Sequence, residues 1–261
     1  MKTKQTLKVI SICLIVISLL PISIFSQANT FSWYCVRNKE HRQPSLDANM
    51  QFIENYNAYF VDKKKADDSA DKVIYLTFDA GYENGNVARI LDVLAEEKVP
   101  GAFFVLKNLL IKEPELIRRM VREGHLVCNH TSNHKDITKY ESSAELVSDL
   151  EELEVLFKDI TKKDMPKYFR PPEGKFSEQS LKFICDSGYK TIFWSFAYAD
   201  WDNSAQMSKE SAMKKIMDNL HNGEVMLLHP TSQTNAEIMQ ELIRELKAQG
   251  YRFGTLDELT V

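Results

Sequence analysis

From Val73 to the end of the chain, short apolar runs alternate with longer stretches in which apolar residues recur every three or four positions. "VIYLTF" (73–78) is followed by "VARILDVLAEE", "GAFFV" (101–105) by "EPELIRRMVREG", and "HLVCN" (125–129) by "SAELVSDLEELEVLFKDI". "KYFR" (167–170) then precedes "SLKFICDSG", "KTIFW" (190–194) precedes "ESAMKKIMDNL", and "EVMLL" (224–228) precedes "EIMQELIRELKAQG", before a closing "RFGTL". Runs of that length read as buried strands, and the 3.6-residue period reads as amphipathic helix. Strand then helix, repeated about seven times, predicts an α/β fold with a parallel sheet covered by helices. The regular repeat over roughly 190 residues suggests a (β/α) barrel, although an open sheet would give the same pattern. Either arrangement puts functional groups at the carboxyl ends of the strands.

The first seventy residues lack this rhythm. "MKTKQTLK" followed by the apolar stretch Val9–Phe25 and the small-residue site Ser26–Ala28 reads as a secretory leader. Pro21 interrupts the run, and its 17 residues are short for a membrane span, so cleavage is expected and an uncleaved anchor is the alternative. Either way the remainder is expected to lie outside the cytoplasmic membrane; a secreted, cell-wall or spore-envelope location is what the family resemblance described below implies. "LDANMQFIENYNAYF" has the pattern of an amphipathic helix, and "VDKKKADDSADK" reads as a solvated connector. The expected organisation is leader 1–28, N-terminal segment and linker 29–71, and a strand–helix domain 72–261.

Composition narrows the function. The chain has 261 residues, 44% hydrophobic, enough for a sizeable core, and a formal net charge of −4 that argues against a nucleic-acid partner. Outside the leader the cysteines are Cys35, Cys128 and Cys185, without metal-ligand spacing. One disulfide is possible, but Cys128 and Cys185 read as small buried apolar side chains.

Ionisable residues gather at the expected strand tips: Asp79 after "LTF", His130 and His134 in "HTSNH", Arg170 in "RPPEG", His229 after "VMLL", and Asp200 in "ADW". Two histidines four apart can share one divalent ion, a weak signal alone that gains weight beside other strand-end ionisable groups. Each residue also has a structural alternative: Asp79 could cap a turn, Arg170 could pair with a surface acid, His229 could be a core histidine and Trp201 could be packing. His125 and His221 fall on no motif.

"TFDAG", "HTSNH", "RPPEG", "ADW" and "LLH", in this order, resemble the five motifs of the polysaccharide deacetylase family, also called carbohydrate esterase family 4 or NodB-like, over about residues 72–257. "LTFDxGYENG", "FSE", "FWSFAYADW" and "YRFGTLDEL" most resemble its sporulation-associated peptidoglycan N-acetylmuramic acid deacetylases, which make muramic δ-lactam precursors in the spore cortex. The resemblance implies a distorted (β/α)7-type barrel that hydrolyses the amide of an N-acetyl sugar in a cell-wall polysaccharide. Such hydrolysis needs an activated water, an oxyanion stabiliser and an acid for the departing amine. On that footing Asp79 is the general base and Arg170 its orienting partner, His229 is the general acid and Asp200 its tuning carboxylate. Trp201 walls the pocket, the Glu173 N–H meets the oxyanion, and His130 and His134 hold a metal, zinc by preference.

Two departures stand out. Most of the family has a second aspartate after the base, as the third protein ligand of the metal, and the muramic-type members commonly have asparagine; this chain has Ala80. Weak, exchangeable metal binding follows, unless Asn84 or Glu83 supplies the missing ligand. Muramic-type relatives often carry arginine where Glu173 stands, to meet the lactyl carboxylate, which a glutamate would repel unless Lys175 or Lys107 compensates. The alternatives are therefore deacetylation of N-acetylglucosamine in peptidoglycan or chitin, action on acetylxylan, and a non-catalytic sugar-binding relative. A monomer is expected.

Overall fold

The computed structural model describes residues 29–36, 39–65 and 67–261; the leader expected over 1–28 lies outside them. Among the described residues no helix is long and apolar enough to cross a membrane. The strands are β1 (Thr30–Ser32), β2 (Ala58–Tyr59), β3 (Lys72–Ala80), β4 (Ala102–Val105), β5 (Leu126–Asn129), β6 (Tyr168–Phe169), β7 (Lys175–Ser177), β8 (Lys190–Ile192), β9 (Glu224–Leu228) and β10 (Tyr251–Phe253). The helices are α1 (Asn86–Glu97), α2 (Lys107–Lys112), α3 (Pro114–Arg122), α4 (Ser143–Thr161), α5 (Glu178–Asp186), α6 (Lys209–Asn219), α7 (Gln233–Ala248) and α8 (Leu256–Leu259).

Eight strands form one all-parallel sheet in the order β10-β3-β4-β5-β6-β8-β2, with β9 also on β3. β3 is shared along its length: Lys72–Ile74 pair with β10, and Ile74–Phe78 pair with β9. The ring closes onto β9 through two isolated bridges, a parallel one from Phe196, after β8, to Met226 and an antiparallel one from Val61, after β2, to Glu224. Three backbone hydrogen bonds hold the first: Ser195 N and Phe196 N to Val225 O, and Leu227 N to Phe196 O. The curled sheet with helices outside is a distorted (β/α)7 barrel.

Alternation along β3 sorts its side chains. Val73 and Tyr75 face inward with Ala102, Phe104, Cys128, Tyr168, Ile192 and Val225, while Ile74, Leu76, Phe78 and Ala80 join the layer between sheet and helices. Cys128 is buried in the barrel interior, as its small apolar reading requires, whereas Cys185 is only half-buried, its Sγ accepting from Asn57 Nδ2 at 3.5 Å.

The N-terminal segment departs from expectation. The stretch read as an amphipathic α-helix forms a 3₁₀ helix, Ala48–Tyr56, ended by Asn57 in the left-handed region at φ 49°. β2 then takes the outer place on β8, and the start of the supposed solvated connector is buried, with Tyr75 donating its hydroxyl to Asp62 Oδ2 at 2.6 Å. β1 pairs antiparallel with β7, so the described residues before β3 and the barrel share one packed structure.

Candidate active site

Asp79 is the last inward-facing residue of β3, and Arg170 follows directly on β6. Arg170 is completely buried. Its Nη1 donates to Asp79 Oδ1 at 2.9 Å, Nε to Ile192 O at 2.9 Å, and Nη2 to Thr77 Oγ1 at 2.8 Å and Phe193 O at 3.2 Å. The guanidinium also lies 4.2 Å from the centroid of the Phe104 ring. Every arm of the fork is committed, so the arginine is a fixed positive charge beneath Asp79. Burial pushes the Asp79 carboxyl up, but Arg170, then His130 and His229, outweigh it and hold the group below the ordinary carboxylate range.

On the far wall His229 follows β9, and its Nδ1 donates to Asp200 Oδ1 at 2.7 Å while its backbone N–H donates to Asp200 Oδ2 at 2.8 Å. Burial lowers the proton affinity of the imidazole, yet the buried Asp200 more than restores it, and Asp79 adds to the effect; the net shift is upward. Nδ1–H is fixed by Asp200, which leaves Nε2 free to exchange a proton. Trp201 stands on the rim, 60% exposed, its ring centroid 6.0 Å from that of His229.

His130 and His134 sit in the loop after β5, their ring centroids 5.1 Å apart. In this loop Thr131 and His134 both adopt positive φ, 69° and 57°, an uncommon conformation for non-glycine residues and rarest for a β-branched one. His130 donates Nδ1–H to Arg170 O at 2.8 Å, and burial holds its pKa down at about 4, so the ring is neutral. Its Nε2 lone pair then faces Asp79 Oδ2 at 3.6 Å. Two electron-rich atoms so placed fit a proton, a water or a cation between them. The donor set is incomplete: among the described residues no group of three or more His, Cys, Asp or Glu side chains is arranged to hold a metal ion. His130 and His134 are the two imidazoles that would hold such an ion, and two ligands alone would hold it loosely.

Neither expected substitute completes the set. Ala80 is buried in the layer under the helices and does not line the cavity. Asn84 donates to Thr231 O at 2.8 Å and accepts from Asn86 N at 3.3 Å, and Glu83 accepts from Gly85 N at the start of α1. Lys175 and Lys107 are also engaged, by Glu173 and Glu152, and neither lines the cavity. The free compensating cation expected beside Glu173 is absent from the cavity lining; Glu173 is instead neutralised in place, Lys175 Nζ standing 2.6 Å from its Oε2.

All six strand-tip residues thus meet around one cavity of about 640 Å³; Asp79, His130, His134, Glu173, Trp201 and His229 line it, and Arg170 and Asp200 support it from behind. Its wall on the "RPPEG" side turns at Glu173 (φ 55°) and Gly174 (φ 64°). Sequence reasoning missed Tyr198 and Trp194, which also line the cavity, and Asn235, which holds Asp200 from α7. Tyr198 and Trp194 lay inside a quoted motif, "FWSFAYADW", where their apolar neighbours made them read as core; Asn235 lay in a stretch between motifs.

A carboxylate over a buried arginine, opposite a carboxylate-tuned imidazole at the strand tips of a parallel barrel, is an arrangement suited to general acid–base chemistry. The comparisons agree. The model of the family described as polysaccharide deacetylase matches residues 66–192. Peptidoglycan-N-acetylmuramic acid deacetylase PdaA of Bacillus subtilis is 38% identical over 229 residues, 87% of this chain and 85% of that protein. Its solved structure, described as a family 4 carbohydrate esterase, superposes with a TM-score of 0.82 at 37% identity, covering 88% of this chain and 96% of that one. A Bacillus cereus peptidoglycan-N-acetylglucosamine deacetylase is 33% identical over 195 residues, 72% of this chain and 88% of that protein. The chain belongs to the polysaccharide deacetylase family, carbohydrate esterase family 4.

Proposed function

We propose that the protein is a hydrolase that removes N-acetyl groups from peptidoglycan sugars outside the cytoplasmic membrane, exported by the leader 1–28 and acting as a monomer. The observation that carries this is the facing of the Asp79–Arg170 and His229–Asp200 pairs across one cavity. Asp79, ionised over Arg170, takes a proton from the attacking water. The Glu173 N–H, on a backbone turned to the wall of the cavity, receives the oxyanion. His229 delivers its Nε2 proton to the departing amine while Asp200 holds Nδ1. Trp201 offers its exposed ring to a sugar face. A divalent ion held by His130 and His134, zinc by preference, would supply Lewis-acid polarisation of the acetyl oxygen and water. Two imidazoles would hold it weakly, so chelator should lower activity and added divalent ion should restore it. Stoichiometric zinc surviving long dialysis against chelator would contradict this.

N-acetylmuramic acid is the proposed substrate, as a step towards the muramic δ-lactam of spore cortex, supported by the resemblance to PdaA over most of the chain. The pairing of Glu173 with Lys175 removes the repulsion an isolated glutamate would exert on a lactyl carboxylate, without supplying an attraction. That missing attraction favours a second reading, N-acetylglucosamine as the deacetylated unit. Mass spectrometry of products from peptide-stripped glycan strands separates the two, since loss of acetyl from muramic residues is expected and loss only from glucosamine residues would transfer the assignment. Asp79→Asn should lower acetate release by about 10²–10⁴-fold, the usual worth of a general base, with sugar binding retained.

A further inference from the structure

Behind the cavity, the first turn of α7 reaches across to the carboxylate that serves His229. Asn235 is fully buried and is the third residue of that helix, whose N-cap Ser232 accepts from Asn235 N. Its Nδ2 donates one proton to Asp200 Oδ2 at 2.6 Å and the other to the backbone carbonyl of His229 at 3.1 Å. Its Oδ1 accepts from the hydroxyl of Tyr198, a cavity-lining residue. The carboxylate and the carbonyl fix the amide, because turning it over would set its oxygen against two acceptors, whereas the tyrosine hydroxyl can donate or accept.

We propose that Asn235 is a positioning residue for the deacetylation, locking Asp200 in the rotamer that binds the His229 imidazole and holding the His229 main chain at the same time. Asp200 receives Nδ1–H on one oxygen and two N–H donors on the other, from His229 N and Asn235 Nδ2. Without Asn235 the second oxygen keeps only the backbone donor, and the carboxylate gains freedom to turn off the imidazole. Gln206 steadies the same loop, donating to Asp200 O at 3.0 Å and accepting from Ser232 Oγ at 2.5 Å. The other ionisable groups acting on His229 are Asp79 from the tip of β3 and Arg170 from the end of β6, and Asn235 touches neither. Its influence on the imidazole therefore runs through Asp200 and the His229 backbone.

The inference rests on the acid role proposed above for His229, so its test needs a readout that does not depend on the substrate. NMR titration of the His229 ring in Asn235→Ala should show a pKa about one unit below that of the parent protein, because a carboxylate free to turn off the imidazole no longer holds its proton. On the true substrate, kcat should fall by about 10–100-fold with KM nearly unchanged, as for a misplaced catalytic group, and the alkaline limb of kcat should move the same way. The isosteric Asn235→Asp supplies a check on folding. Its carboxyl must share a proton with Asp200 and can imitate the lost donor only while that proton is held, so activity should return at low pH and fail as pH rises. An unshifted His229 titration in Asn235→Ala overturns the proposal, as does an Asn235→Asp enzyme with a parental pH profile. A shifted titration in a protein inactive on every acetylated glycan would spare the positioning role and count against the function.

Discussion

At the scale of single residues, charge and burial set the working pH range. A general base works above its pKa and a general acid below its own. Asp79 is held below the carboxylate range and His229 above the ordinary imidazole value, so the active window widens at both ends. Asp200→Asn removes the charge that restores the His229 proton, and the alkaline limb of kcat/KM should therefore move towards lower pH; a limb that stays in place would show that another group donates. Glu224 poses the opposite problem. It is fully buried beside His221 at the start of β9, accepts from His221 N at 3.2 Å, and its Oε1 has no hydrogen-bond partner. Burial raises its pKa well above 4.5, whereas burial lowers that of His221 to about 4. The folded state thus keeps the Glu224 proton over a range in which the unfolded chain has lost it, and stability falls as pH rises from about 4.5 through the raised value. The His221 contribution has the other sign and is lost as pH falls from 6.5 towards about 4. Glu224→Gln should raise the melting temperature more at pH 8 than at pH 5, with about 1–3 kcal/mol involved.

At the scale of elements, what the sequence disclosed follows from how each element earns its place. The central strands β3, β4, β5 and β9 announced themselves because they are buried on both faces, leaving unbroken apolar runs, whereas β10 exposes Arg252. β1, β2 and β7, two or three residues each, had no period to display, and their pairing depends on partners more than a hundred residues away. The strand-tip groups were legible for the same reason: charge directly after an apolar run is conspicuous. Asn235 was not, because a polar residue in the first turn of a helix is unremarkable until its partner is known. The N-terminal strand matters to the site. Trp33 donates its backbone N–H to Gly174 O at 2.8 Å and its indole N–H to Trp194 O at 2.9 Å, and it stacks on Phe193 at 4.3 Å. Trp33→Ala should cost about 3–5 kcal/mol by chemical denaturation and loosen the wall that carries Glu173. Gly174→Ala should be disabling too, because a Cβ there would lie 2.8 Å from Trp194 and 2.9 Å from Trp33, on a backbone at φ 64°; soluble protein with parental stability and activity would contradict this.

At the scale of the whole molecule, the two halves of the cavity sit on unequal foundations. Asp79, Arg170 and His130 rise from β3, β6 and β5, inside the continuous run of paired strands. Asp200 and His229 lie on opposite sides of the join between Phe196 and Met226, where two isolated bridges, that one and Val61 to Glu224, stand in place of a continuous ladder. Their mutual bonds, with those of Asn235, are part of what clasps the join. Hydrogen exchange should therefore release the amides of Ser195 and Leu227 before those of Phe103 and Phe104 in β4; equal protection would refute the difference. Gentle warming would then leave the Asp79–Arg170 pair seated while the proposed proton donor and the Trp201 wall beside it drift away together. Such an enzyme would fail quietly, half of its cavity dismantled while its outline stayed intact.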